Sequence, residues 1–235
     1  MNILVTGASK GIGFEIVKQF SSTAGNNIIA LSRDMELLQN LQIICNNECN
    51  NNIHIYSIDF LGITFEDELK SILSNHNFHI DIVINNAGYL VNKPFTETSQ
   101  EEIRQIYQTN VYAPITILQN IIPSLDDNRQ CHIVNIGSMG GYQGSVKFPG
   151  LSIYSSSKSA LANLTECLAE EYKEKNIKIN CLALGSVQTE MLNKAFPGYK
   201  AQVSSEEIAK YIVQFSLQHP IYVNGKILPV SNATP

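Results

Sequence analysis

Basic charge is in short supply in this chain: 16 Lys and Arg stand against 21 Asp and Glu, a formal net charge of −5. A general nucleic-acid binder carries a basic stripe to meet phosphates, so nucleic acid is not an expected partner. No apolar run approaches the ~20 residues that span a bilayer, and the first residues read as a strand rather than a signal peptide. A membrane is therefore not expected either. The five cysteines, at 45, 49, 131, 167 and 181, contain no Cys-x-x-Cys pair. An odd number without framework spacing points to free thiols and a cytoplasmic location. Cys45 and Cys49 lie four apart on an expected helix, with no His or further Cys to complete a metal site, and are read as solvated. The histidines at 54, 76, 79, 132 and 219 show no ligand spacing, so no metal is expected. Ser-His-Asp hydrolysis has no supporting context.

What is present is an ordinary globular composition, 44% hydrophobic and 16% charged over 235 residues. With no internal repeat and no useful linker, residues 1–235 read as a single α/β domain with a sizeable core. Apolar, β-rich runs near 2–6, 27–32, 53–58, 81–85, 131–136, 177–183 and 226–230 alternate with helical patterns near 11–24, 34–47, 64–76, 99–123, 152–175 and 204–218. Strands of continuous apolar character between helices imply a parallel seven-stranded sheet covered on both faces. The expected fold is the Rossmann-type, doubly wound one, with ligands at the carboxyl edge where strand order reverses. The Asn-rich stretch from Asn46 to Asn52 reads as a polar loop.

Two constellations carry chemistry. Directly after the first apolar run comes Gly7-Ala8-Ser9-Lys10-Gly11-Ile12-Gly13, followed by Phe14, Ile16, Val17 and Phe20 at helical spacing. Strand, glycine turn and helix are the setting of a dinucleotide fingerprint. Gly7 suits a positive-φ turn, Gly11 lets backbone approach a pyrophosphate, and Gly13 lets the helix pack close to the sheet. The helix amino terminus then faces the phosphates with unpaired N–H groups. Far along the chain, Tyr154 and Lys158 stand one helical turn apart, and Ser138 precedes Tyr154 by sixteen residues. An ammonium beside a phenol favours the phenolate and lowers its pKa from ~10, toward the range where acid–base catalysis is efficient. Ser138 adds a hydrogen bonder for a carbonyl oxygen.

Together with Asp59, Asn85-Asn86-Ala87-Gly88 and Asn110, these motifs make the chain resemble a single-domain short-chain dehydrogenase/reductase over nearly its whole length. The resemblance implies that Tyr154 is the general acid or base and that Ser138 orients the substrate oxygen. Lys158 would lower the Tyr154 pKa and bind the nicotinamide ribose, and Asn110 would hold a water leading from Lys158 to solvent. It further implies that Asp59 meets the adenine amino group, that Asn86, Ala87 and Gly88 pass the adenosine ribose, and that Gly185, Val187 and Thr189 contact the nicotinamide end. Relatives commonly pair through the segments read here as 99–123 and 152–175, so a homodimer or homotetramer is expected.

The cofactor choice rests on the end of the second strand, Ala30-Leu31-Ser32-Arg33. Dehydrogenases that prefer NAD place an acidic residue where Ser32 stands, and Arg accommodates the 2′-phosphate of NADP. Lys10 matches a second basic position, so NADP(H) is expected. Asp34 is the countervailing feature, a carboxylate one residue beyond Arg33. The expected reaction is reduction of a ketone or aldehyde, such as a small free ketone or a 3-oxoacyl thioester. A non-catalytic NADP(H)-binding sensor on the same fold is the rival reading.

Three features are this chain's own. Pro114 lies four residues after Asn110 and cannot donate to its carbonyl, so a kink and a free Asn110 carbonyl for the relay water are expected. The interval from Ser138 to Tyr154 is longer than is usual in the family, and its four glycines, Gly140, Gly141, Gly144 and Gly150, suggest a mobile or sharply turned loop over the substrate. Leu184-Gly185 replaces the family's common Pro-Gly. From Met191 to Ser204 only a short substrate loop is expected, and the tail from Ser231 to Pro235 lacks the family's terminal glycines.

Overall fold

The computed structural model describes residues 1–46, 52–76, 78–218 and 222–232. Cys49, His219, most of the Asn-rich stretch and the last three residues of the tail lie outside them.

The chain opens with strand β1 (Asn2–Thr6), whose five residues are all buried, and turns into helix α1 (Gly11–Ser21). Then follow β2 (Asn27–Ser32), α2 (Met35–Asn46), β3 (Asn52–Ser57), α3 (Phe65–Ser74) and β4 (Ile82–Asn85). The middle of the chain supplies α4 (Gln100–Tyr107), α5 (Ala113–Ile121), β5 (Cys131–Ser138) and α6 (Ser152–Glu171). It ends with β6 (Ile177–Leu184), β7 (Val187–Gln188), α7 (Glu190–Ala195), β8 (Val203–Ser204), α8 (Ser205–Gln218) and β9 (Ile227–Val230). The seven strands expected from the sequence form one sheet in the order β3-β2-β1-β4-β5-β6-β9, with every pairing parallel. Strand order reverses between β1 and β4, which opens a crevice at their carboxyl ends.

Alternation along the strands divides the core. Ile3, Val5, Ile28 and Ala30 face α1, α2 and α8 through Ile16, Val17, Phe20, Leu38, Ile212 and Phe215. Leu4, Ile29, Val83, Ile133 and Ile179 pack on the other face with Leu69, Ile117, Leu118 and Ile121. Covering both faces is what makes the strands read as continuous apolar runs. Cys45 is fully buried on α2 in the first of these cores, which corrects its reading as a solvated helix residue. It faces inward with Leu38 and Leu41, one helical stripe.

The helical pattern expected over 99–123 is not continuous. A capping box between Ser99 and Glu102 starts α4. At Gln108–Tyr112 the helix widens to one π turn, in which the Ala113 N–H donates to the Gln108 carbonyl five residues back. Pro114 then sits in the first turn of α5, with no N–H to offer the Asn110 carbonyl four residues back. The expected kink at Asn110 takes the form of a π-bulge. Two elements were not foreseen: α7, and the two-stranded sheet that β7 forms with β8. Among the described residues no helix is long and apolar enough to cross a membrane.

Candidate active site

The carboxyl ends of β1, β4, β5 and β6 converge on one cleft. At its floor, Gly7 and Gly11 hold φ of 65° and 58°, the left-handed region open to glycine. A Cβ on Gly13 would meet Asn86 Nδ2 at 2.5 Å and the Gly7 carbonyl carbon at 2.8 Å, so only glycine lets α1 start this close to the sheet. The turn is braced from β4. Asn86 Nδ2 donates to the Thr6 carbonyl at 2.9 Å, and the backbone N–H groups of Asn86 and Ala87 both donate to Thr6 Oγ1 at 3.0 Å. Ile12 packs partly buried against the core, and Lys10 takes the extended N-cap position of α1 without capping it through its side chain. The first N–H groups of α1 thus face the cleft, a backbone cradle for an anion.

Beside the cradle, Ser9 Oγ and Ser32 Oγ lie 2.7 Å apart, locking the turn to the end of β2. Arg33 is exposed at that corner, and its carbonyl accepts from Ser57 Oγ at 2.9 Å. Asp34 accepts from the Leu37 N–H at 3.1 Å and so caps α2, which gives its carboxylate a structural occupation. Asp59 is exposed past β3 and accepts from the Leu61 N–H at 3.2 Å.

On the other side of the reversal point, Ser138 ends β5, and its Oγ accepts from the Gly140 N–H at 3.2 Å. Tyr154 projects from the first turn of α6 beside Ser138. Lys158, one turn on and buried, donates from Nζ to the Ile136 carbonyl at 2.8 Å, with Nζ 6.0 Å from the centre of the Tyr154 ring. A Cβ on Gly88 would lie 3.6 Å from both Lys158 Nζ and Asn110 Oδ1, so these groups share one corner. The Asn110 side chain is fully engaged: Oδ1 accepts from the Tyr89 N–H at 2.7 Å, and Nδ2 donates to the Tyr89 carbonyl at 3.0 Å and to Ser157 Oγ at 2.9 Å.

A family model described as short chain dehydrogenase matches residues 1–200. The chain belongs to the short chain dehydrogenase family. An uncharacterized oxidoreductase of Staphylococcus epidermidis is 28% identical over 94% of this chain and 92% of its own. A 3-oxoacyl-[acyl-carrier-protein] reductase of Chlamydia trachomatis is 27% identical over 97% and 94% respectively. Among solved structures, a short chain dehydrogenase of Shigella flexneri complexed with NADP superposes with a TM-score of 0.88 at 26% identity, covering 97% of this chain and 95% of that one.

Electrostatically, this short chain dehydrogenase departs from one expectation. Loss of hydration pushes the Tyr154 phenol up to about 12, with the Ser138 hydrogen bond pulling the other way. Burial brings Lys158 down to about 8, and the neighbouring Cys181 thiol acts in the opposite sense. Lys158 therefore does not hold Tyr154 below its ordinary pKa in this structure. The ammonium is turned toward the Ile136 carbonyl, and loss of hydration sets the direction of the phenol's shift.

The cleft has a roof as well as a floor. Gly185 packs on Ser231, where a Cβ would meet Ser231 Oγ at 2.7 Å, and Val187 is buried in β7. Thr189 caps α7, its Oγ1 accepting from the Leu192 N–H at 3.1 Å, and its methyl would lie 3.6 Å from a Cβ on Gly11. Lys10 reaches across to this roof: its Nζ pairs with Glu190 Oε2 at 2.8 Å. The segment 139–150 is sharply turned. Gly144 and Gly150 carry φ of 83° and 82°, Lys147 Nζ donates to the Tyr142 carbonyl at 2.6 Å, and the Lys93 N–H donates to the Gly150 carbonyl at 3.0 Å. Sequence reasoning missed Asn92, Ser157 and Glu190 as parts of the site, because each acts through a partner distant in the chain. Among the described residues, no group of three His, Cys, Asp or Glu could hold a metal.

Proposed function

We propose that residues 1–235 act as one NADP(H)-binding domain that reduces a ketone or aldehyde to an alcohol, with a 3-oxoacyl thioester among the candidate substrates. The observation that carries this reading is the meeting of Lys158 and Asn110 at Gly88, with Tyr154 beside Lys158 and Ser138 beside Tyr154. The residues fit a dinucleotide. Gly7, Ser9, Gly11, Ile12 and Gly13 would hold the pyrophosphate on the α1 amino terminus, and Lys10, Ser32 and Arg33 the 2′-phosphate. Asp59, Asn86, Ala87 and Gly88 would take the adenosine, and Lys158, Gly185, Val187 and Thr189 the nicotinamide half. When bound, NADPH supplies hydride. The NADP complex of the Shigella flexneri relative supports the cofactor choice.

The chain's own groups manage the proton. With its phenol pushed up to about 12, Tyr154 is fully protonated at neutral pH and hands its proton to a far more basic developing alkoxide. The Ser138 hydroxyl donates to the same oxygen and aligns it with Tyr154. Lys158, charged below about 8, returns a proton to Tyr154. The Asn110 side chain is spent on Tyr89 and Ser157, so its role falls to its backbone carbonyl, which Pro114 cannot pair with four residues on. That carbonyl would hold the water leading to solvent. A homodimer or homotetramer in the cytoplasm fits the family and the buried free thiols of Cys131 and Cys181.

The test is a carbonyl substrate screen that follows NADPH absorbance, run beside Tyr154→Phe. Oxidation of NADPH that the variant loses by about 10²–10⁴-fold, while it still binds NADPH, is the expected result. Binding without turnover across the panel would favour the sensor reading, and turnover unchanged in Tyr154→Phe would end the assignment of Tyr154.

A further inference from the structure

Lys10 and Glu190 are 180 residues apart in sequence, yet they form the ion pair that ties the glycine turn to the first residue of α7. Ser9 is held by Ser32, Thr189 caps its own helix, and Lys10 makes no capping bond to α1. The Lys10 ammonium beside it holds the Glu190 carboxyl below its usual range, and Lys194 adds to this, so the carboxylate is charged throughout the neutral region. Both side chains are exposed, at 51% and 63%, so the pair is open to competition from solvent and from other anions.

The geometry points to Glu190 as a selectivity residue: it competes with the 2′-phosphate of NADP(H) for Lys10, and so weakens and speeds the exchange of the phosphorylated cofactor without touching the unphosphorylated one. The inference rests on the NADP(H) reading above. Lys10 sits where the 2′-phosphate is expected, next to Ser9 and Ser32, and a single ammonium cannot make its closest pairing with a carboxylate and a phosphate dianion together. Phosphate carries the greater charge and takes Lys10 over. Releasing the phosphate returns Lys10 to Glu190 and seats α7 again on the turn at Gly11. NADH has no group at this position, and so leaves the pair intact.

Titration of NADPH and NADH by the change in their fluorescence tests this in wild type, Glu190→Gln, Lys10→Ala and the double variant. Glu190→Gln should tighten NADPH by roughly threefold at low salt and leave NADH unchanged, an effect that shrinks as salt screens the charges. In the Lys10→Ala background, where NADPH binds more weakly, Glu190→Gln should no longer matter. Equal changes for both cofactors would mean that Glu190 only steadies α7, and an undiminished effect without Lys10 would mean it acts by another route; either overturns the inference. A wild type that prefers NADPH but is indifferent to Glu190→Gln sinks this inference alone. A wild type that prefers NADH sinks the cofactor reading and this inference with it.

Discussion

The floor and the roof of the cleft are built differently. In the floor, partners are buried or part-buried and close: Lys158 on the Ile136 carbonyl, Asn110 on Tyr89 and Ser157, Asn86 on Thr6, Gly13 against Gly7. In the roof they are exposed: Lys10 on Glu190, Asn92 on the Ala195 carbonyl at 2.8 Å, Ser186 Oγ on the Tyr199 hydroxyl at 3.1 Å. Buried hydrogen bonds are costly to break because the abandoned group finds no water, whereas exposed ones exchange with solvent at little cost. On the function proposed above, chemistry falls to the half whose partners are buried and cofactor exchange to the half whose partners are exposed.

Lys158 offers the largest contrast, since in the floor a functional charge is held against its stability interest. Lys158→Met should lower turnover by about 10²–10⁴-fold. It should also raise the melting temperature at pH 7, because the wild type keeps a buried ammonium whose pKa has fallen from 10.5 to about 8. Between those values the unfolded chain binds a proton that the native protein does not, so wild-type stability rises with pH and the advantage of the variant shrinks. Over the same range Lys158 loses the charge that feeds Tyr154, and kcat/KM for reduction should fall as pH rises through about 8. A profile flat to pH 9 would remove Lys158 from the proton route. A variant less stable than wild type at pH 7 would show that its packing outweighs its charge.

The next effect is steric. A methyl on Gly13 would overlap Gly7 and Asn86, both backbone-anchored, so Gly13→Ala should cost about 2 kcal/mol, or roughly 4–8 °C in melting temperature for a chain of this size. NADPH binding should weaken with it, as α1 is pushed off the sheet. Unchanged melting by calorimetry would mean that the floor yields as readily as the roof, and the comparison would fail.

This division also explains what could be read from sequence. The seven strands and the larger helices follow from local periodicity, and the glycine turn and the Tyr154–Lys158 pair are short-range patterns whose geometry is set within a helical turn. The π-bulge at Gln108–Tyr112 was foreshadowed by Pro114, although its form was not. The roof escaped because the bonds that tie α7 to the rest of the cleft join residues about a hundred or more positions apart, as in Asn92 with Ala195 and Lys10 with Glu190. The direction of the Tyr154 shift escaped for a related reason: the sequence shows the nearby Lys, and only the fold shows the loss of hydration that sets the direction.

Asn92 gives the smallest and sharpest test. Its Nδ2 donates to the last residue of α7, and its side chain abuts Gly150, where a Cβ would approach Asn92 Cγ to 3.2 Å, so one exposed amide clasps three segments of the roof. Asn92→Ala removes one solvent-accessible hydrogen bond and should cost at most about 1 kcal/mol of global stability. Locally the effect should be larger, because the other side-chain bonds on α7, from Lys10 to Glu190 and from Gln188 to Asn193, are also exposed: amides of 190–200 should exchange with deuterium several-fold faster, while those of β5 and the buried half of α6 keep their wild-type protection. Acceleration spread evenly through both halves would mean that roof and floor open as one unit, and the distinction between them would lose its physical basis.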